Sequence, residues 1–278
     1  MILRSASFIA LFQAAGITLF IAMFGRTLEL SLSPLRRITK LSAIAAIVLS
    51  VGQYALEAAR MADDMSGILD PSLQMMAMHS ASSAVLAVRL LGLLLIAMTI
   101  ARRDIGATAS FTGVGLIAAS FMLTGHTAAS SLRWVLAPLL TIHVLIVAFW
   151  FGALIPLYLA CMREKSAIAG QVTEAFSKIA LWLVPGILGA GVVLGLLLVR
   201  HVAEFRSGYG LSLIAKSTGF MLLLGLAALN KWRLGPAIAT GDQRAIRWFR
   251  RSLRLEYVLI AAVLSITAMM TTFYSPEP

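Results

Sequence analysis

Four histidines and thirteen methionines are the side chains of this 278-residue chain that could hold a soft metal. A single cysteine excludes both a disulfide framework and a cysteine-rich zinc site. Two spacings carry the chemistry. Met75 and Met76 precede His79 by four and three residues, and Met122 precedes His126 by four. On a helix such pairs share one face. Thioether and imidazole together make a soft donor set, which selects Cu(I) rather than Cu(II) and rejects hard, oxygen-seeking cations. His143 lies inside an apolar run, where a polar side chain is costly and marks a functional position. The candidate metal ligands are therefore His126, His143, Met122, His79, Met75 and Met76. His201, beside Arg200, reads as a headgroup contact, and Cys161 as a buried, inert thiol. There is no P-loop pattern, which disfavours an ATP-driven pump, and no catalytic residue is assigned. The chain is expected not to be an enzyme.

The elements that must position these donors follow from composition. Hydrophobic residues make up 60% of the chain and charged residues 13%, and the mean hydropathy is +0.91. A soluble domain holds roughly 45–50% apolar and about 25% charged residues. A soluble enzyme and a disordered chain are both excluded. A helix needs about 20 apolar residues to cross the hydrocarbon. Eight stretches qualify, near 7–28, 41–60, 80–101, 105–126, 137–161, 178–200, 211–231 and 254–274. The runs are too long and too continuous for barrel strands. The expected fold class is an all-α integral membrane protein, a bundle of eight transmembrane helices forming one domain over residues 1–278. Arg4 ahead of an apolar run resembles a signal peptide. No small-x-small cleavage site follows before Arg26 and Glu29, so the segment reads as a retained span.

Basic residues orient the bundle, and that role accounts for the net charge of +11 without invoking nucleic acid. The loops after spans 1, 3, 5 and 7 hold 16 of the 23 Lys and Arg, among them Arg36, Arg37, Arg102, Arg103, Arg163 and Arg247. That side is expected to face the cytoplasm, which places both termini in the periplasm. All four histidines then fall in the outer part of the molecule. Met61, Met65, Met75, Met76 and Met78 share the outer loop with Asp63, Asp64 and Asp70, a surface suited to attracting cations. Glu57, Lys216 and Trp150 are accessory candidates; Glu57 and Lys216 could pair or carry protons, and Arg89 and Lys216 could equally snorkel to the interface. Gly186, Ala190, Gly191 and Gly195 give span 6 a smooth packing face.

Longer motifs add a resemblance. The run Leu123-Thr124-Gly125-His126-Thr127-Ala128-Ala129, then His143, then Phe149-Trp150-Phe151-Gly152-Ala153-Leu154-Ile155-Pro156-Leu157, resembles the CopD (PcoD) family of copper-resistance membrane proteins. Thr127, Ile142 and Ala153 depart mildly from that family's pattern. Gly210 to Lys216, Leu229-Asn230-Lys231-Trp232-Arg233-Leu234 and Arg254-Leu255-Glu256 match later segments, so the resemblance spans about 80–275. It implies an eight-span inner-membrane protein of copper homeostasis that moves copper, often beside a periplasmic CopC-type copper-binding partner; the donors gathered at the outer mouth point to import rather than export. No stretch of residues 1–278 reads as such a partner domain, so a separate protein is expected. Two other readings stay open. His126 and His143 on neighbouring spans could ligate a haem, although no inner histidine pair completes a transmembrane relay. Copper could also be bound and delivered without being transported.

Overall fold

Backbone amides in hydrocarbon find no water, so each long apolar run must satisfy them within itself as a helix. The computed structural model describes residues 1–101, 107–124, 130–198 and 208–273, and it is helical in this way, with no strand among the described residues. The helices are α1 (Ile2–Phe24), α2 (Leu32–Ala62), α3 (Pro71–Met78), α4 (Ala81–Ala101), α5 (Ala107–Ala119), α6 (Arg133–Arg163), α7 (Ser166–Leu198), α8 (Gly208–Leu229), α9 (Gly235–Ala239) and α10 (Gln243–Phe273). A 3₁₀ turn, Ser120–Leu123, extends α5, and a π-turn, Asn230–Leu234, joins α8 to α9. Among the described residues, seven helices are long and apolar enough to cross a membrane. The fourth expected span is present as the shorter apolar helix Ala107–Leu123.

Three helices start two or more turns before the apolar runs: α2 at Leu32, α7 at Ser166 and α10 at Gln243. Hydropathy marks only the length in lipid, whereas the hydrogen-bond ladder runs on into water wherever one face stays apolar. On α10, Ala245, Ile246, Phe249 and Leu253 are buried while Arg244, Arg247, Arg251 and Arg254 are exposed.

Helices α1 and α6 form the centre. Residues 10–20 of α1 are buried without a break. The two helices cross backbone to backbone, so that a Cβ at Gly16 would fall on the Ala148 carbonyl and one at Gly152 on the Gly16 backbone. Helices α4 and α5 meet the same way: a Cβ at Gly92 would lie 2.6 Å from the Gly113 carbonyl oxygen. Where lipid removes the hydrophobic incentive to associate, close van der Waals approach through small residues takes its place. Helices α7 and α8 flank this centre, α7 against α6 and α8 against α10.

Polar contacts sort the helix ends onto two faces. Arg4 Nη1 donates to the Thr271 carbonyl at 2.7 Å, and Gln53 Nε2 donates to the Leu3 carbonyl at 3.2 Å. The start of α1 and the ends of α2 and α10 therefore share the face that bears α3. On the opposite face the Leu30 and Ser31 amides donate to Glu164 Oε1 at 3.0 and 2.7 Å, pinning the α1–α2 loop to the end of α6.

Candidate metal site and a buried carboxyl

His143 stands ten residues into α6 from the α3 face. It looks toward α7, where a methyl group at Gly191 would meet its Cε1 at 4.0 Å. That is ordinary van der Waals distance, so the ring packs against α7 at this position. The imidazole Nδ1 is buried without a well-formed hydrogen bond among the described residues, the Ile187 backbone of α7 being the polar group nearest the ring. A buried ring nitrogen without a well-formed hydrogen bond forfeits its desolvation energy unless something coordinates it.

Met122 reaches the same helix from another direction. Its Sδ accepts from Thr141 Oγ1 at 3.6 Å, two residues before His143. Arg89 of α4 holds the 3₁₀ turn that presents Met122. It is 7% exposed, its Nε donates to Ser120 Oγ at 3.1 Å, and its guanidinium lies 4.8 Å from the Phe121 ring centre. Arg89 therefore does not snorkel to the interface; it is buried against the turn.

His79, Met75 and Met76 sit apart, on the outer surface of α3. Asp70 caps this helix, accepting from the Ser72 amide at 2.8 Å and the Leu73 amide at 3.4 Å, with Pro71 opening the first turn. The helix ends at Met78, and His79 caps it with its amide donating to the Met75 and Met76 carbonyls. Met75 and Met76 are 64% and 60% exposed. Packing on α2, α4 and the 3₁₀ turn Met65–Leu69 leaves these thioethers exposed. The Ser72 hydroxyl, then the Ser72 and Leu73 amides, hold the Asp70 carboxyl below the usual carboxylate range, and Ser66 does the same for Asp64. Both loop aspartates are thereby kept anionic beside the methionines.

His126 and His201 lie outside the described residues, as do Arg102, Arg103, Arg200 and Arg206. The anticipated pairing of Glu57 with Lys216 is replaced by a local one: Glu57 Oε2 pairs with Arg60 Nη1 at 2.9 Å, one turn away on α2. Proximity along one helix favours that partner over a residue on α8. Lys216, half-buried on α8, makes no ion pair among the described residues. Nor do three His, Cys, Asp or Glu side chains gather there as a metal cage.

A second polar group lies deeper. Glu256, 2% exposed on α10, accepts from Trp150 Nε1 at 3.4 Å and from Asn230 Nδ2 in a short contact. Trp150 is two helical turns beyond His143 on the same face of α6. Its one polar atom is an N–H donor, so it is no metal ligand. Phe220, four residues past Lys216 on α8, meets the Trp150 ring edge-on at 6.4 Å. Asn230 opens the π-turn, a local widening frequent at functional sites. Glu256 stood in the sequence only as the last letter of a motif beside Arg254. Nothing along the chain announced that it turns inward to two neutral donors.

The apolar helices, central packing and polar interior define a multi-pass inner-membrane protein. A family model described as "Copper resistance protein D" matches residues 170–270, and a second, "Copper resistance protein D-like, N-terminal domain", matches residues 1–134. The chain belongs to the copper resistance protein D family. The chain is 29% identical over 268 residues to copper resistance protein D of Pseudomonas syringae pv. tomato, across 88% of this chain and 85% of that one. It is 29% identical over 134 residues to inner membrane protein YebZ of Escherichia coli, across 47% of this chain and 46% of that one. It is 30% identical over 169 residues to copper transport protein CutJ of Bacillus subtilis, across 59% of this chain and 30% of that one. The chain thus covers less than half of YebZ and under a third of CutJ. No solved structure matches.

Proposed function

We propose that this protein moves copper across the inner membrane, inward rather than outward, through eight spans with both termini in the periplasm. The α3 face is then the outer one, and the Met75, Met76 and His79 surface with Asp64 and Asp70 is where the ion is first met. From there copper passes to a seat made by His143 and Met122, completed by His126. The observation that carries this reading is the buried Nδ1 of His143, without a well-formed hydrogen bond, on the helix that also receives the Met122 sulfur. Imidazole and thioether take Cu(I) without releasing a proton at neutral pH, so hand-over between such seats is not slowed by deprotonation. The names of the relatives, copper resistance protein D and copper transport protein CutJ, support the choice of cargo. A separate periplasmic copper-binding protein of the CopC type is the proposed donor.

The test is uptake of Cu(I) by liposomes that hold the purified protein. Wild-type vesicles accumulate copper, and His143→Ala and His126→Ala vesicles do not. Equal uptake by all three would remove the site. Copper that binds the wild type without crossing would instead make the protein a binding and delivery factor.

A further inference from the structure

The most deeply buried carboxyl of the described chain has no place in copper coordination. Glu256 carries hard oxygens, lies in the half of the bundle away from α3, and touches only neutral donors. The described titratable groups on α10 and the elements packed around it are Arg244, Arg247, Arg250, Arg251, Arg254 and Tyr257 on α10 itself, Arg4 on α1, Arg133, His143, Tyr158, Cys161 and Arg163 on α6, Lys216 on α8, and Lys231 and Arg233 on the π-turn. None of them makes a hydrogen bond or ion pair to Glu256 among the described residues. A buried acid of this kind, without a counter-charge in a membrane bundle, is costly to keep and marks function.

Its neighbours suit both of its protonation states. The Asn230 amide donates from Nδ2 to Glu256 Oε1, while its own Oδ1 is buried and unpartnered. A carboxylate uses the Nδ2–H donor. A carboxylic acid has an O–H to give, and turning the amide over offers it Oδ1. Trp150 Nε1–H donates to the other oxygen in either state. The π-turn that begins at Asn230 supplies a backbone segment able to accommodate the change. The acid is also linked upward, because Trp150 shares the His143 face of α6 two turns away.

We propose that Glu256, with Asn230 and Trp150, is a proton-binding site whose loading and release accompany the passage of copper. The carboxylate takes one H⁺ from one side and returns it to the other, so charge and atoms balance without any further reactant. The proton site stands on its own geometry; its coupling to copper rests on the transport reading above.

Two measurements on the full-length protein separate these claims. Infrared difference spectra of the purified protein, taken across a pH series, should show a carboxylic-acid C=O band that comes and goes with pH. The band should be absent in Glu256→Gln. In Trp150→Phe it should move to higher frequency, because the carbonyl loses a donor. A spectrum without a titrating band assigned to Glu256 overturns the proton site. Proteoliposomes carrying a pH-sensitive dye should report a proton flux when Cu(I) is added, and Glu256→Gln should abolish it while leaving Cu(I) binding at the His143 seat intact. Wild-type uptake without proton flux, or full uptake by Glu256→Gln, overturns the coupling and leaves the copper reading standing. No uptake by the wild type defeats the copper reading and the coupling together, while the infrared band still decides the proton site.

Discussion

The Met122 sulfur accepts from the Thr141 hydroxyl at 3.6 Å, and this contact fastens the turn after α5 to α6 within two residues of His143. Thioether and imidazole thus come from separate helices, and the sequence spacing that suggested Met122 with His126 on one face does not by itself describe the seat. If both side chains bind the same ion, Met122→Leu keeps the packing volume and removes the donor. Cu(I) affinity should fall by about 10-fold or more. Competition with a calibrated Cu(I) chelator measures it, and an unchanged affinity removes Met122 from the ligand set.

The Gly16–Gly152 crossing admits no Cβ on either side. Gly152→Ala should destabilise the bundle by about 1–3 kcal/mol, read as a lower unfolding midpoint in detergent. Gly115, with nothing within 4 Å of an added Cβ, should tolerate the same change. Equal midpoints for the two variants would show that the helices do not cross there.

The Asp70 cap gives α3 a pH dependence. Its carboxyl titrates below 3.8 in the folded loop because the Ser72 hydroxyl, followed by the Ser72 and Leu73 amides, stabilises the ionised form. A lowered folded value means that the contribution is complete above 3.8 and vanishes as the pH falls through the folded value. Methyl NMR signals of Met75 and Met76 should therefore sharpen toward mobile positions only in strong acid. Asp70→Ala should show the mobile signals at neutral pH. Signals identical in Asp70→Ala and wild type at pH 7 would remove the cap from the account.

Glu164 bridges two loops on the face away from α3 by accepting from the Leu30 and Ser31 amides. A carboxylate there also favours the positive end of α2. Glu164→Ala should cost about 0.5–2 kcal/mol, whereas Glu164→Gln, which keeps an acceptor oxygen, should cost less. Thermal unfolding of the three proteins decides it.

Much of the scaffold was legible in composition, because hydrocarbon leaves a helix no alternative. The apolar runs located every long helix. They misplaced the starts of α2, α7 and α10, where amphipathic turns continue past the lipid and window averages fall. The donor types were legible too, as scarce His and abundant Met. What could not be read was which helices face each other. Glu57 found Arg60 one turn away instead of Lys216. Arg89 turned inward to Ser120 and Phe121. Glu256 met Trp150, 106 positions earlier, and Asn230 on the turn after α8. The i,i+3 spacing of Glu57 and Arg60 did hold their pairing, but the Arg89 and Glu256 outcomes depend on helix rotation and crossing, which small-residue contacts such as Gly16 with Gly152 settle and one-dimensional spacing does not record.

The central place of α1 bears on biogenesis. This helix leaves the ribosome before α6, and the groove that receives Gly16 is not synthesised until Gly152, 136 positions later. Between those moments an apolar segment bearing Ser7, Gln13 and Thr18 must wait in the bilayer without its permanent neighbour. Insertion machinery or an early partner such as α2 has to shelter it, so defects in this helix will show as failed assembly in the cell before they show as altered handling of copper.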